Sequence, residues 1–80
     1  MKIIVENIAR EITRHILKKY FSRYGVVEHV ILSEYNDIYG ASAIISMPEE
    51  KQAFEAIDEL DGKIVAGREI SVFPSSAVFN

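Results

Sequence analysis

The chain has 80 residues, 49% of them hydrophobic and 26% charged, which is the size and composition of one small globular domain. It contains no cysteine, so a disulfide scaffold and a thiolate metal site are excluded, and a small domain without such staples fits a reducing cytoplasm. The formal net charge of −3 argues against strong sequence-independent attraction to phosphate, which relies on Lys and Arg.

The chain opens on Met1-Lys2-Ile3-Ile4-Val5, read as a strand over residues 2 to 6 that begins at the initiator. No apolar run is long enough for a membrane span, and no secretory pattern precedes the strand. Asn7 marks a turn. Over residues 14 to 24, Ile16, Leu17, Tyr20, Phe21 and Tyr24 form the apolar stripe of an amphipathic helix, with Thr13 as N-cap and Gly25 as its stop. Residues 27 to 33 predict a second strand. Residues 41 to 47 predict a third, with Ala41, Ala43, Ile45 and Met47 on one face and Ser42, Ile44 and Ser46 on the other. Pro48 suits the first turn of a second helix, which runs to about Leu60 with Ala53, Ala56, Ile57 and Leu60 buried and closes at Gly62. Residues 69 to 73 predict a last strand with Ile70 and Val72 inward. The order β-α-β-β-α-β predicts an α+β, ferredoxin-like sandwich: a four-stranded antiparallel sheet with two helices on one face. The expected domain is residues 1–80, with a core over about 2–73 and a tail over 74–80.

Several families share that order, and local motifs separate them. Ile3-Ile4-Val5-Glu6-Asn7-Ile8 resembles the first-strand signature of the RNA recognition motif (aliphatic, aromatic, aliphatic, any, Asn, aliphatic), with Ile4 in the aromatic's place. Gly40-Ala41-Ser42-Ala43-Ile44-Ile45-Ser46-Met47 lies in register with the family's third-strand octamer, K/R-G-F/Y-G/A-F-V-x-F/Y, where Ala43 and Ile45 match in type. Phe21-Ser22-Arg23-Tyr24-Gly25 resembles the family's first-helix end. Ala53 to Gly62 resembles its second helix, and Ala66 to Val72 its last turn and strand. The resemblance covers residues 2 to 73 and is to the compact single-domain members found in bacteria.

The resemblance implies single-stranded RNA lying across the open sheet face, with no cofactor, metal or chemistry, and with aromatic side chains stacked on bases. Strand alternation puts Lys2, Ile4 and Glu6, then His29, Ile31 and Ser33, then Ser42, Ile44 and Ser46, then Glu69, Ser71 and Phe73 on that face. Aliphatic or hydroxyl side chains thus occupy the stacking positions Ile4, Ser42 and Ile44. Each base–aromatic stack contributes about 1–3 kcal/mol, so the loss of two or three predicts weak binding. The candidate RNA contacts are Lys2, Ile4, Ser42 and Ile44, with Arg68 at the edge and Tyr35 and Tyr39 on the loop around Asn36-Asp37-Ile38. Those tyrosines either stack on RNA or pack on a neighbouring strand.

Two further readings stand beside this one. Ile4, Ile31, Ile44 and Phe73 make an apolar patch that suits a protein partner or a homodimer. Alternatively, the tail covers that patch with Val78 and Phe79. The basic residues Arg10, Arg14, Lys18, Lys19 and Arg23 and the acidic Glu49, Glu50, Glu55, Asp58, Glu59 and Asp61 read as two solvated helix faces; otherwise the basic cluster contacts phosphates or the acidic second helix of another copy. An enzyme of the same topology finds no support: the glycines form no phosphate loop, and Ser42 and Ser46 have only His29 as a conceivable base.

Overall fold

The structure, a computed structural model, describes residues 1–75. The suggested cover by Val78 and Phe79 therefore lies outside the described residues. The elements in order are β1 (Lys2–Ile8), α1 (Arg14–Ser22), β2 (His29–Leu32), β3 (Ala41–Ser46), α2 (Glu50–Leu60), β4 (Ile64–Val65), β5 (Arg68–Glu69) and β6 (Ser71–Pro74). Four strands form an antiparallel sheet in the order β2-β3-β1-β6, and β4 and β5 form a separate hairpin. Both helices pack on one face of the larger sheet. The fold is the expected ferredoxin-like α+β sandwich.

The core lies between that face and the helices. Ile3, Val5, Ala43, Ile45 and Val72 from the sheet, and Met47 just after β3, meet Leu17 and Phe21 of α1 and Ala53, Ala56, Ile57 and Leu60 of α2. Burying a side chain such as Phe21 or Ile45, both fully enclosed, contributes about 1.5–3 kcal/mol. In α1 the stripe narrows to Leu17 and Phe21, with Tyr20 and Tyr24 packed at its margin. Ile16 is only half-buried and lines an open hollow with Lys19, Tyr20 and Arg23, because its position falls on the flank of the stripe. Thr13 caps α1 as expected, its Oγ1 accepting from the Ile16 N–H at 3.2 Å.

Four local features differ from the sequence reading. Pro48 lies outside α2, whose N-cap is Glu49, so the proline turns the chain into the helix and does not occupy its first turn. The first helix ends at Ser22 with Arg23 as its cap, and Gly25 lies beyond it. A Cβ at Gly25 would meet the Gln52 side chain of α2, so close helix approach is what needs glycine there. The last strand is divided. Ile70 and Val72 both point inward, but Arg68 and Glu69 pair with Ile64 and Val65 around a tight turn at Ala66 and Gly67, both at positive φ.

The fourth difference governs the site. The first strand does not stop at residue 6: it runs through Ile8 with one extra residue inserted. Val5 faces Ala43 and Ile8 faces Ala41, so three steps on β1 span two on β3. Asn7 takes the strain at φ 64, a region asparagine tolerates better than most residues. The bulge returns Ile8 to the core, where it is fully buried. Gly40, at φ 70, approaches the same bend so closely that a Cβ would lie 2.8 Å from the Ile8 carbonyl oxygen. Gly40→Ala should therefore destabilise the domain by about 2 kcal/mol and lower its melting temperature by roughly 10 °C, read by thermal and urea unfolding. A change below about 2 °C would mean that the bend relaxes without cost.

Candidate nucleic-acid interface

The face of the sheet away from the helices carries three cross-strand rows set by register. His29, Ser46 and Lys2 form the first. Ile31, Ile44, Ile4 and Phe73 form the second, opposite one another across all four strands. Ser33 and Ser42, tied by the Ser42 N–H donating to Ser33 Oγ at 2.9 Å, lie towards the third, where Glu6 faces Ser71. The middle row is open to solvent at its ends, with Ile31 63% and Phe73 37% exposed. It offers apolar contact but no π-face at the two central strands.

Lys2 is the basic side chain on these rows, and Glu6 is an acid on the same strand face. The other positive charges lie elsewhere. Arg14 and Lys18 line an open groove of about 570 Å3 with His15, His29 and Ile31, beside the edge strand β2. Lys19 and Arg23 lie around the hollow at Ile16. Arg10 reaches the loop between β2 and β3, where it bonds Asp37 at 2.9 Å and lies 4.9 Å above the Tyr35 ring. The basic cluster of the sequence is thus divided among three places.

Arg68 does not project freely. Its guanidinium donates to Asn7 Oδ1 at 2.7 and 3.0 Å, to the Tyr35 hydroxyl at 3.1 Å and to the Ile38 carbonyl at 3.1 Å. Asn7 Nδ2 donates in turn to the Glu69 carbonyl at 2.8 Å. The bulge, the small hairpin and the β2–β3 loop are therefore fastened at one point. A charge-assisted hydrogen bond contributes about 1.5–3 kcal/mol when sheltered, whereas the exposed Arg10–Asp37 pair is worth about 1 kcal/mol or less. Arg68 is the stronger tie. The tyrosines part company here: Tyr35 packs against the core margin beneath the two arginines, and Tyr39 is 76% exposed.

Tyr39 and Ile38 reach the end of the sheet face. With Glu6, Asn7, Ser42 and Ser71 they line an open groove of about 380 Å3. The structure thus brings Ile4 and Ile44 together with Ile31 and Phe73, and Ser42 together with Tyr39. It sets Lys2 in a separate row, and it fastens Arg68 to Tyr35 and Ile38 of the β2–β3 loop. The sequence reading missed the part played by Asn7 and Ile38. The one local signal was an asparagine followed by another aliphatic residue where a turn was expected. Among the described residues no group of three or more acidic or histidine side chains is placed to hold a metal ion, and no helix is long and apolar enough to cross a membrane.

Comparison with known proteins places this geometry. Residues 3–71 match the RNA recognition motif. The chain is 34% identical over 71 residues to human heterogeneous nuclear ribonucleoprotein Q, covering 88% of this chain and 10% of that protein. The curated relatives that it matches are longer proteins, of which it spans from about a tenth to about a third (10–36%). Among solved structures it superposes on the RRM3 domain of Mip6 with a TM-score of 0.83 at 26% identity, covering 91% of this chain and 89% of that one. It also superposes on a chain of the Caenorhabditis elegans NONO-1 homodimer with a TM-score of 0.80 at 28% identity, covering 90% of this chain and 27% of that one. With the signature strands β1 and β3 at the centre of the sheet and both helices behind it, the chain belongs to the RNA recognition motif family.

Proposed function

We propose that this chain binds single-stranded RNA on its open sheet face, weakly and with aliphatic contacts in place of the family's stacked aromatics. The observation that carries the reading is the Ile31–Ile44–Ile4–Phe73 row, laid across the two signature strands of an RNA recognition motif and left uncovered by the helices. Bases laid along this row would gain apolar contact from Ile4 and Ile44, with Ser42 and Tyr39 flanking it on one side and Lys2 on the other. Arg68 and Tyr35, both sequence candidates, serve this face indirectly by holding the loop that carries Tyr39. The same reading makes the chain a cytoplasmic binding module of the compact bacterial kind, without catalytic chemistry. The absence of cysteine supports a reducing compartment.

The test is an amide-resolved NMR titration with a random pool of single-stranded RNA heptamers at two salt concentrations. Shifts are expected at Ile4, Ser42, Ile44 and Tyr39, with affinity falling as salt rises. Ile44→Phe, which restores one stacking surface, should tighten binding about tenfold. Silence at the sheet amides in both proteins would remove the RNA reading.

A second reading is supported by the same row. Its exposed ends, Ile31 and Phe73, and the likeness to a chain of the NONO-1 homodimer suit docking of a protein partner or a second copy. Sedimentation velocity separates the two. If the sheet is the interface, a dimer of the native chain becomes monomeric in the Ile4→Asp/Ile44→Asp double variant. A dimer that persists in that variant uses another surface.

A further inference from the structure

The groove at the end of the sheet differs chemically from the rest of the face. Its lining residues are the exposed Tyr39 and Ile38 together with Glu6, Asn7, Ser42 and Ser71. No lysine or arginine lines it. Arg68, which holds its rim, points its donors at Asn7, Tyr35 and the Ile38 carbonyl. A site with a carboxylate and without a cation rejects phosphate and favours a neutral group that donates hydrogen bonds.

The rim is also built in advance. Asn36 Oδ1 accepts from the N–H groups of Ile38 and Tyr39 at 2.8 and 3.0 Å, and Asn36 and Gly40 exchange backbone hydrogen bonds at 2.7 and 3.2 Å. The Arg68 bond to the Ile38 carbonyl and the Arg10–Asp37 pair tie this turn to the small hairpin and to the segment that follows β1. Tyr39 is therefore presented on an ordered loop, which lowers the entropy lost when a ligand packs on it.

We propose that this groove is a base-selective pocket that takes one unpaired guanine, its ring against Tyr39 and its Watson–Crick edge donating to the Glu6 carboxylate. The inference rests on the RNA reading above and adds a specificity that the reading does not contain. Guanine presents N1–H and the N2 amino group side by side, two donors that match two carboxylate oxygens. Adenine and cytosine present one amino group beside an acceptor nitrogen. Uracil presents one N–H between two carbonyl oxygens, which a carboxylate repels. The expected order is guanine first, adenine and cytosine next, and uracil last. Ser42 and Ser71 can donate or accept and so do not disturb that order.

The experiment titrates the native chain with four heptamers, UUUGUUU, UUUAUUU, UUUCUUU and UUUUUUU, by NMR and fluorescence anisotropy. UUUGUUU should bind at least about fivefold tighter than UUUUUUU, with the largest amide shifts at Glu6, Tyr39 and Ser42. Glu6→Gln sits on an exposed position and should leave the folded spectrum intact. It should reduce the guanine preference to within about twofold without weakening binding of UUUUUUU. Tyr39→Ala should weaken binding of UUUGUUU most. Equal affinities for the four heptamers, or a guanine preference that survives Glu6→Gln, would overturn the pocket while leaving RNA binding in place. Failure of every heptamer to shift the sheet amides would overturn the pocket and the RNA reading together.

Discussion

An inserted residue in the first strand sets the shape of everything at one end of this domain. At Asn7 the chain takes a left-handed bend between Val5 and Ile8, each of which must reach the core. Without the insertion, alternation would send Ile8 to solvent, so the bulge exchanges local backbone strain for burial of a large aliphatic side chain. The bent segment also turns the Asn7 amide towards Arg68 and Glu69. Both ends of that amide are used: its oxygen accepts from the guanidinium and its nitrogen donates to a backbone carbonyl. The small hairpin and the β2–β3 loop are both held through this residue. The position of Tyr39, the aromatic side chain that lines the groove at this end of the sheet, follows from a bend in the neighbouring strand.

The middle of the sheet is built on a different principle. Facing residues on neighbouring strands lie close enough to act as one surface. Here the row of facing residues is aliphatic at its centre and aromatic only at Phe73 on the edge strand. Such a row excludes water but lacks the directional π-contact that makes a base prefer one orientation. It can hold an RNA base, or it can hold the apolar surface of another protein, with little to separate the two by contact area alone. What separates them is the chemistry beside the row, where hydroxyl, carboxylate and phenol groups gather on one flank.

Most of the scaffold was legible in the chain itself. The alternation Ala41, Ala43, Ile45, Met47 against Ser42, Ile44, Ser46 assigned both faces of β3, and the register then assembled the apolar row as expected. The helices were legible because leucine, alanine and phenylalanine recur at helical spacing and Thr13 starts the first one. The β4–β5 hairpin was not, because strands of two residues carry no period and Ala66-Gly67 shows only half of a turn signal. Gly25 looked like a helix stop, since its true constraint, the Gln52 side chain, comes from a distant part of the chain. The candidate site divides in the same way. Ile4, Ile31, Ile44 and Phe73 follow from alternation, but the ties from Arg68 to Asn7 and Tyr35 join residues 61 and 33 apart in sequence. No local pattern reports whether an arginine faces solvent or is fastened beneath a loop.

The charge distribution then decides what kind of binding such a face supports. Nucleic-acid affinity that ignores sequence comes from cations replacing counterions along the backbone. On the sheet rows that term is small: Lys2 is offset by Glu6, and Arg10 and Arg68 are occupied within the protein. Arg14 and Lys18 lie in the groove around the β2 edge and Lys19 and Arg23 around the hollow at Ile16, none of them on the sheet rows. Binding on the proposed face is thus governed by what bases offer rather than by what phosphates offer. That costs total affinity, but it also removes most of the background against which one base must be distinguished from another. A domain with few stacking aromatics and a net negative charge is for this reason better suited to a brief, base-dependent contact than to holding RNA of any sequence.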